Sequence, residues 1–462
     1  MVFNALNWPR TGLVETDLPK GYEIVDLSTY QTVPYQVLSV SGSEQRIQFI
    51  ARDVPSLGYK CYQIKQTKTP PPSPQTESGN VMENAYYRIV MDAQSGAVKS
   101  IFDKQLQKEL VNASSSYRFD QYLYVTGGDK PASNRLIFND RNLPLPKLTV
   151  HPAGSGRLIP ITREPFGTVA RLESLSVNTP RIDSEIILFS HQKKIEFINH
   201  VQKKDVDTKE GVYFAFPFAM SHPEFRYEIQ NGYVNPKHDQ LPGAGKEWFS
   251  VQHWIEAQQG DTSVALVPID ASLVSLGDIV RGTWPLKFGQ RKGTIFSYAM
   301  NNYWFTNYRA GQGGNFTFRY VLTSDHEFQP AALSRLGWSE MTPFEVDDII
   351  SNDKAVNIPE PLSATESSFV EVDSPHVVLV DWKRAENRQG TIMRFLEVAG
   401  EDGSANIKIP LMDIQQAWQC NEVEQDQKSL SVTSHGFHFA VQAFQIVTIR
   451  VKGSMGLPTA GN

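Results

Sequence analysis

A period of two runs through almost the whole of this chain, and it limits the fold more than any single motif does. In "KIEFINHV" (194 to 201), Ile195, Phe197, Asn199 and Val201 share one face. Glu196, Ile198 and His200 take the other, the alternation of a half-buried strand. Further strand-like runs are "GTVARLESLSV", "SEIILFS", "GVYFAFPF", "TSVALVPI", "GTIFSYAM" and "NFTFRYVL". "AYYRIVMD" and "AVKSIFD" flank the turn-like "AQSG", which predicts a hairpin turning at Gly96. So many strands with no strong helical pattern between them predict a large, two-layer antiparallel sandwich over residues 83 to 325.

Two smaller blocks flank it. "PYQVLSV", "RIQFIARDV" and "YKCYQI" make residues 1 to 66 a small β-sandwich, and "VVLVDWKR", "GTIMRFLEVAG" and "HFAVQAFQIVTIRV" make another over 367 to 451. Between the first two blocks, 67 to 82 holds four prolines in the five positions 70 to 74. Such a stretch neither pairs regularly in a ladder nor continues a helix, so it reads as an extended linker. Residues 326 to 366 read as a connector whose one helical signal is "QPAALSRLGW", with Pro330 at the first helical position and Leu333 and Leu336 inward. Residues 452 to 462 read as a mobile tail.

Composition excludes several classes of function. The 462 residues carry a formal net charge of −6 and scattered basic residues, so no stripe of Lys and Arg marks a nucleic-acid binder. No apolar run approaches the roughly 20 residues of a membrane span, and "MVFNALNWPRTG" lacks the basic and apolar regions of a signal peptide. Neither nucleic acid nor membrane is an expected partner; the location is open, and cytoplasmic if the chain is complete. Cys61 and Cys420 read as plain thiols rather than a disulfide framework or a metal cage. No dinucleotide fingerprint, Walker loop, zincin helix, nucleophile elbow or C-x-x-C is present. His435 and His438 fall on opposite faces of a strand, and Asp103 and Asp120 flank turns, where Asp serves the backbone.

Two segments stand apart from ordinary β core. "NNYWFTNYRAGQGGNFTFRY" (301 to 320) puts seven aromatic rings and four asparagines around a glycine-rich loop with Arg309 near its middle. Amide-rich, aromatic-rich loops with a fixed cation suit a polyhydroxylated, partly apolar ligand such as a sugar. Its strands are expected over 294 to 305 and 315 to 322, with Gly311, Gly313 and Gly314 allowing positive φ between them. "KHDQLPGAGKEW" (237 to 248) sets His238 and Asp239 side by side ahead of a Pro/Gly turn.

Four blocks taken in order, 83 to 111, 121 to 129, 238 to 256 and 296 to 320, resemble the C-terminal β region of glycoside hydrolase family 38, the α-mannosidases. "FNALNWPRTGLVE" resembles the start of that family's first small β domain, and "AWQCNEVE" with "AFQIVTIRV" its closing strands. The resemblance implies a galactose-mutarotase-like antiparallel supersandwich flanked by smaller β-sandwich domains. It implies retaining hydrolysis of α-mannosides, with the aspartate nucleophile and zinc held by an α/β catalytic domain that is not in this sequence. No catalytic or metal-ligating residue is therefore expected here, and Met1 is expected to open a fragment or a subunit whose catalytic domain lies in cis or on a separate chain. Whether this chain is itself an enzyme stays open. By position, Tyr122 resembles a substrate-contacting tyrosine, with a core aromatic as the alternative. The loop of Asn307 and Arg309 resembles a sugar-contacting loop, and His238 and Asp239 line the same cleft in this reading. Two other readings stand beside it: a stand-alone carbohydrate-binding β-sandwich protein without activity, and an epimerase needing a histidine and a carboxylate to converge on a sugar carbon.

Overall fold

A computed structural model describes residues 1–69, 74–127, 148–279, 285, 287–302, 311–349 and 362–455. Its chain contacts divide it into two compact units, Pro74–Phe328 and a second formed jointly by Met1–Ser73 and Gln329–Asn462. The fold is mostly β, and all of its strand pairs are antiparallel among the described residues.

In the Pro74–Phe328 unit the strands gather into a ten-stranded and a six-stranded sheet. The larger runs from Gly232–Val234 through Glu224–Ile229, Ile255–Gln258, Ser263–Pro268, Gly314–Asp325, Ile195–Lys203, Thr179–Phe189, Gly167–Ser176 and Gly154–Glu164 to Gln75–Glu77. The smaller is ordered Leu148–Pro152, Gln121–Gly127, Glu210–Pro217, Thr294–Asn301, Leu273–Leu276, Phe249–Ser250. A four-stranded sheet over Val81–Glu109 adds the expected hairpin, with Gly96 at φ 66° in its turn. One apolar cluster joins them, from Tyr87 and Ile101 through Phe119, Phe197 and Phe214 to Tyr320.

Ile195–Lys203 shows the alternation read from sequence, with positions 195, 197, 199, 201 and 203 buried. The six-stranded sheet does not alternate. Gln121–Val125 and all of Glu210–Pro217 are buried, because this sheet is covered on both faces. Tyr122 and Phe214 face the shared core, whereas Leu123, Val125, Tyr213 and Tyr298 belong to a second apolar cluster on the opposite face.

The other unit contains two small sandwiches. Arg10–Pro19, Glu44–Val54 and Tyr35–Ser41 face a sheet of Gln31–Val33, Tyr22–Asp26 and Tyr62–Gln66 around Leu18, Ile47 and Phe49. A five-stranded and a four-stranded sheet between Glu371 and Met455 enclose Met393, Phe395, Phe439 and Ile449. The run "YKCYQI" is not one strand. Gly58–Lys60 pairs with Val2–Asn4 and Glu366–Ser368, the chain steps out at Cys61, and Tyr62–Gln66 joins a different sheet. A break of this kind leaves the period intact and so is invisible to it. Both cysteines are buried, free thiols. The helix is Pro330–Met341 with Pro at its start; Leu333 is buried as expected, while Leu336 is half-buried and Ser334 and Gly337 complete the inward face.

Candidate functional site

Tyr122 sits on Gln121–Gly127 with its side chain inside the sandwich, 2% exposed. Its hydroxyl pairs with Thr179 Oγ1 at 2.7 Å, its ring meets Phe214 edge-on at 5.6 Å, and burial pushes the phenol pKa well up. The structure thus places this residue in the core. Two residues earlier, Asp120 adopts φ 61° and is 3% exposed. Asn199 Nδ2 donates to both of its oxygens, at 3.0 and 3.1 Å, and Ser184 Oγ donates to Asn199 Oδ1 at 2.5 Å. With one neutral amide to offset desolvation, burial raises the Asp120 pKa well above the ordinary carboxyl value. A carboxyl enclosed in this way, with both oxygens on Asn199, is out of reach of a substrate and cannot serve as a nucleophile. Asp103 plays the turn role read from sequence: its Oδ1 accepts the amides of Gln105 at 2.7 Å and Leu106 at 2.9 Å.

A second polar group lies at the other end of the strand. Tyr124 Oη donates to Glu210 and accepts Asn178 Nδ2 at 2.8 Å. Lys203 Nζ binds the other oxygen of Glu210 and donates to the carbonyl of Gln312 at 3.0 Å. Lys203 and Glu210 are both buried, so each charge depends on the other. Asn302 donates through its backbone to Glu210 O at 2.9 Å and through Nδ2 to Thr208 O at 3.2 Å. Residues 302 and 312 belong to the aromatic, glycine-rich segment, and this network fixes both. Asn307 and Arg309 themselves lie outside the described residues.

The glycines at the loop's end act differently from the expectation. Gly314 alone has positive φ, 138°. Gly311 and Gly313 are required by close approach instead. A Cβ on Gly311 would fall 1.9 Å from Asp205 Oδ1, and one on Gly313 would fall 2.5 Å from the Asp205 backbone nitrogen.

His238 and Asp239 are exposed on the turn after Gly232–Val234. Asp239 Oδ2 accepts the Asn235 amide at 2.7 Å and the Asn235 side chain reaches Glu224 at 2.7 Å, which closes the turn. Past it the chain reaches the outer face of the six-stranded sheet. There Trp248 lies 6.3 Å from Tyr298, which stacks on Tyr213 at 4.2 Å. The structure does not bring Tyr122 to the 238–239 turn, since one is enclosed between the sheets and the other faces solvent.

The sequence reading missed Lys203, Glu210 and Tyr124, although a signal was present. Lys203 and Asn199 are in phase with Ile195, and Glu210 with Val212 and Phe214, so each is a polar side chain at a core position. Buried Glu256 shows the same signal; held by Ser263 at 2.8 Å and Arg226 at 3.2 Å, it is pushed by burial up to about 7. His253 Nδ1 and Glu228 Oε2, 2.6 Å apart, form a buried pair. Among the described residues no three His, Cys, Asp or Glu side chains gather as a metal donor set.

The model of the glycosyl hydrolases family 38 C-terminal domain matches residues 82–272, and that of the family's C-terminal beta sandwich domain matches residues 376–449. This chain is a family 38 C-terminal region. The two matches fall on the large sandwich and on the last small one, in the order of the sequence blocks that carried the resemblance. Among solved structures, an alpha-mannosidase from Enterococcus faecalis V583 superposes on 97% of the chain with 12% identity and a TM-score of 0.68. A glycosyl hydrolase family 38 protein from Enterococcus faecalis does so over 97% with 12% identity and a TM-score of 0.69. At that identity the likeness concerns the fold. The chain spans about half the length of both, 55% and 57%. No curated protein matches it by sequence.

Proposed function

We propose that this family 38 region is the β portion of an α-mannosidase, active on α-mannosyl linkages when combined with a zinc-bearing catalytic domain in cis or on a separate chain. The observation that carries the reading is the pair of family matches on two separate sandwiches in the family's order. The described residues do not fit a zinc ion, as no donor set gathers among them, and no step through the metal is assigned to them. The buried carboxyls of Asp120, Glu210 and Glu256 are engaged by Asn199, by Lys203 and Tyr124, and by Arg226 and Ser263 respectively. A retaining mechanism needs two carboxyls about 5 to 5.5 Å apart across the scissile bond, and in this reading the catalytic domain supplies them.

The role of these residues is then to shape the sugar site. The segment from Asn307 to Gly314, with Arg309, is the part offered to sugar in this reading, and Lys203, Glu210 and Asn302 hold the described residues on either side of 303–310. In the enzyme joined to its catalytic domain, Arg309→Ala is expected to cost about 1.5 to 3 kcal/mol of transition-state binding. That is roughly ten- to a hundredfold in kcat/KM at about 1.4 kcal/mol per decade. An unchanged kcat/KM would remove Arg309 from the sugar site. The alternative, a stand-alone carbohydrate-binding protein, requires mannosides to bind the chain alone, which calorimetry reads directly.

A further inference from the structure

At the end of the large sandwich where Glu210–Pro217 finishes and Thr294–Asn301 begins, a cleft of about 620 Å³ opens between four loop segments. They are the turn at Asn112–Ser114, the turn at Ala219–His222, the hairpin tip at Gln259 and the segment Gln290–Lys292. Its volume lies within the range of small-molecule sites, yet no Phe, Tyr or Trp among the described residues lines it. Apolar ligands and sugar faces that stack on rings are poorly served there.

Its hydrogen-bonding groups are unbalanced. Asn112 Oδ1 is spent on Ser114, accepting its amide at 3.0 Å and its hydroxyl at 2.8 Å. Gln259 Oε1 is spent on the His222 amide at 2.7 Å. The NH2 groups of both amides are left as donors. Arg291 and Lys292 add positive charge, and among the described residues neither is paired with a carboxylate. Arg291 is held by a long contact from Nη2 to Lys246 O at 3.4 Å and by Phe288, whose ring centroid is 5.4 Å away. Its Nε is buried with no hydrogen-bond partner among the described residues. The adjoining cavity of about 130 Å³ differs in this respect. There Lys108 is bound to Asp261 and Thr262, and Glu109 is occupied by the amides of Ile101 and Val111.

A cleft with two amide NH2 groups left as donors and two cations without a carboxylate partner among the described residues calls for a ligand rich in acceptors and carrying negative charge. We infer that this cleft binds a hydroxylated ligand bearing an oxyanion, a sugar phosphate or a sugar carboxylate. Arg291 and Lys292 would take the oxyanion, and the amides of Asn112 and Gln259 the hydroxyls. The inference does not depend on the α-mannosidase reading, since none of the residues involved belongs to the 301–320 segment or to the Lys203–Glu210 network.

Calorimetry on the full chain tests it with glucose 6-phosphate, glucuronate, inorganic phosphate and glucose as probes. One of the two charged sugars is expected to bind more tightly than both inorganic phosphate and glucose, and which one binds tells which oxyanion fits. Binding is expected to weaken as salt is raised. Lys292 is exposed, so Lys292→Gln is expected to leave the melting temperature unchanged while lowering affinity about tenfold. Arg291→Gln is expected to lower it further. The inference is overturned if neither charged sugar binds, if glucose binds as well as they do, if inorganic phosphate alone matches them, or if Lys292→Gln keeps full affinity. An inactive enzyme that still binds the charged sugar would count against the glycosidase reading alone.

Discussion

At the scale of single residues, Asp120 converts burial into a pH dependence. Its folded pKa is raised above the unfolded value of 3.8, so the native state holds the proton more tightly. The stability tied to this proton is fully present below the unfolded value and is lost as pH rises toward the folded one. Asp120→Asn keeps an oxygen facing Asn199, removes the titration and suits φ 61°. Denaturant midpoints should therefore show wild type losing stability relative to this variant as pH rises above the unfolded value of 3.8. Parallel curves would mean that the carboxyl is not neutral in the fold. The Lys203–Glu210 pair makes a second claim at this scale. Lys203→Met should cost about 3 to 5 kcal/mol by leaving Glu210 buried and uncompensated, and adding Glu210→Leu should restore much of it. If the double variant is no more stable than the single, the network is not held by that charge pair. Asn199, Lys203 and Glu210 were legible in the sequence as polar residues in phase with a buried face, whereas Asp120 read as a turn residue serving the backbone and is held instead by the Asn199 side chain. The partners of these residues were not legible, because Asp120 meets Asn199 across 79 residues of chain and Lys203 meets Gln312 across 109.

At the scale of elements, the strand pattern gave the large sandwich and its hairpin, since alternation is a local property of a half-buried strand. It failed where the surroundings were not local. Glu210–Pro217 is buried at every position because a second apolar cluster covers the far face of its sheet. The GQGG segment shows the same limit: its glycines looked like hinges for positive φ, and two of the three are set by Asp205. The two contacts differ in kind. At Gly311 the nearest atom is the tip of the Asp205 side chain, which can turn away, whereas at Gly313 the Asp205 backbone is also in the way. Gly313→Ala should therefore cost about 1 to 3 kcal/mol, the usual price of overpacking, and Gly311→Ala less. Asp205→Gly should rescue Gly311→Ala and not Gly313→Ala, a contrast that thermal melts of the four variants would show. Equal costs at the two glycines would contradict the close-approach explanation.

For the whole molecule, the two compact units differ in how the sequence builds them. The core of the large sandwich is drawn entirely from residues 82 to 322, so a piece spanning 74–328 is expected to fold and melt cooperatively by itself. Residues 1–73 are not expected to do so without 329–455, because Val2–Asn4 lies between Gly58–Lys60 and Glu345–Val346 in one sheet. No amount of local periodicity shows that the first strands of the chain share a ladder with Glu345–Val346 and Glu366–Ser368, more than 300 residues away. The chemistry is divided in the same sense: the described residues hold the Lys203–Glu210 network and a donor-rich cleft, but no metal donor set. The central claim is that this region shapes an α-mannosidase site whose reacting groups lie in another domain. Its most direct test is the hydrolysis of an aryl α-mannoside, measured with zinc present, by the purified 462-residue chain alone and joined to a family 38 catalytic domain. The expected result is no turnover by the chain alone and zinc-dependent turnover by the joined protein. Turnover by the chain alone that survives repurification and is abolished by a point substitution within it would contradict the claim.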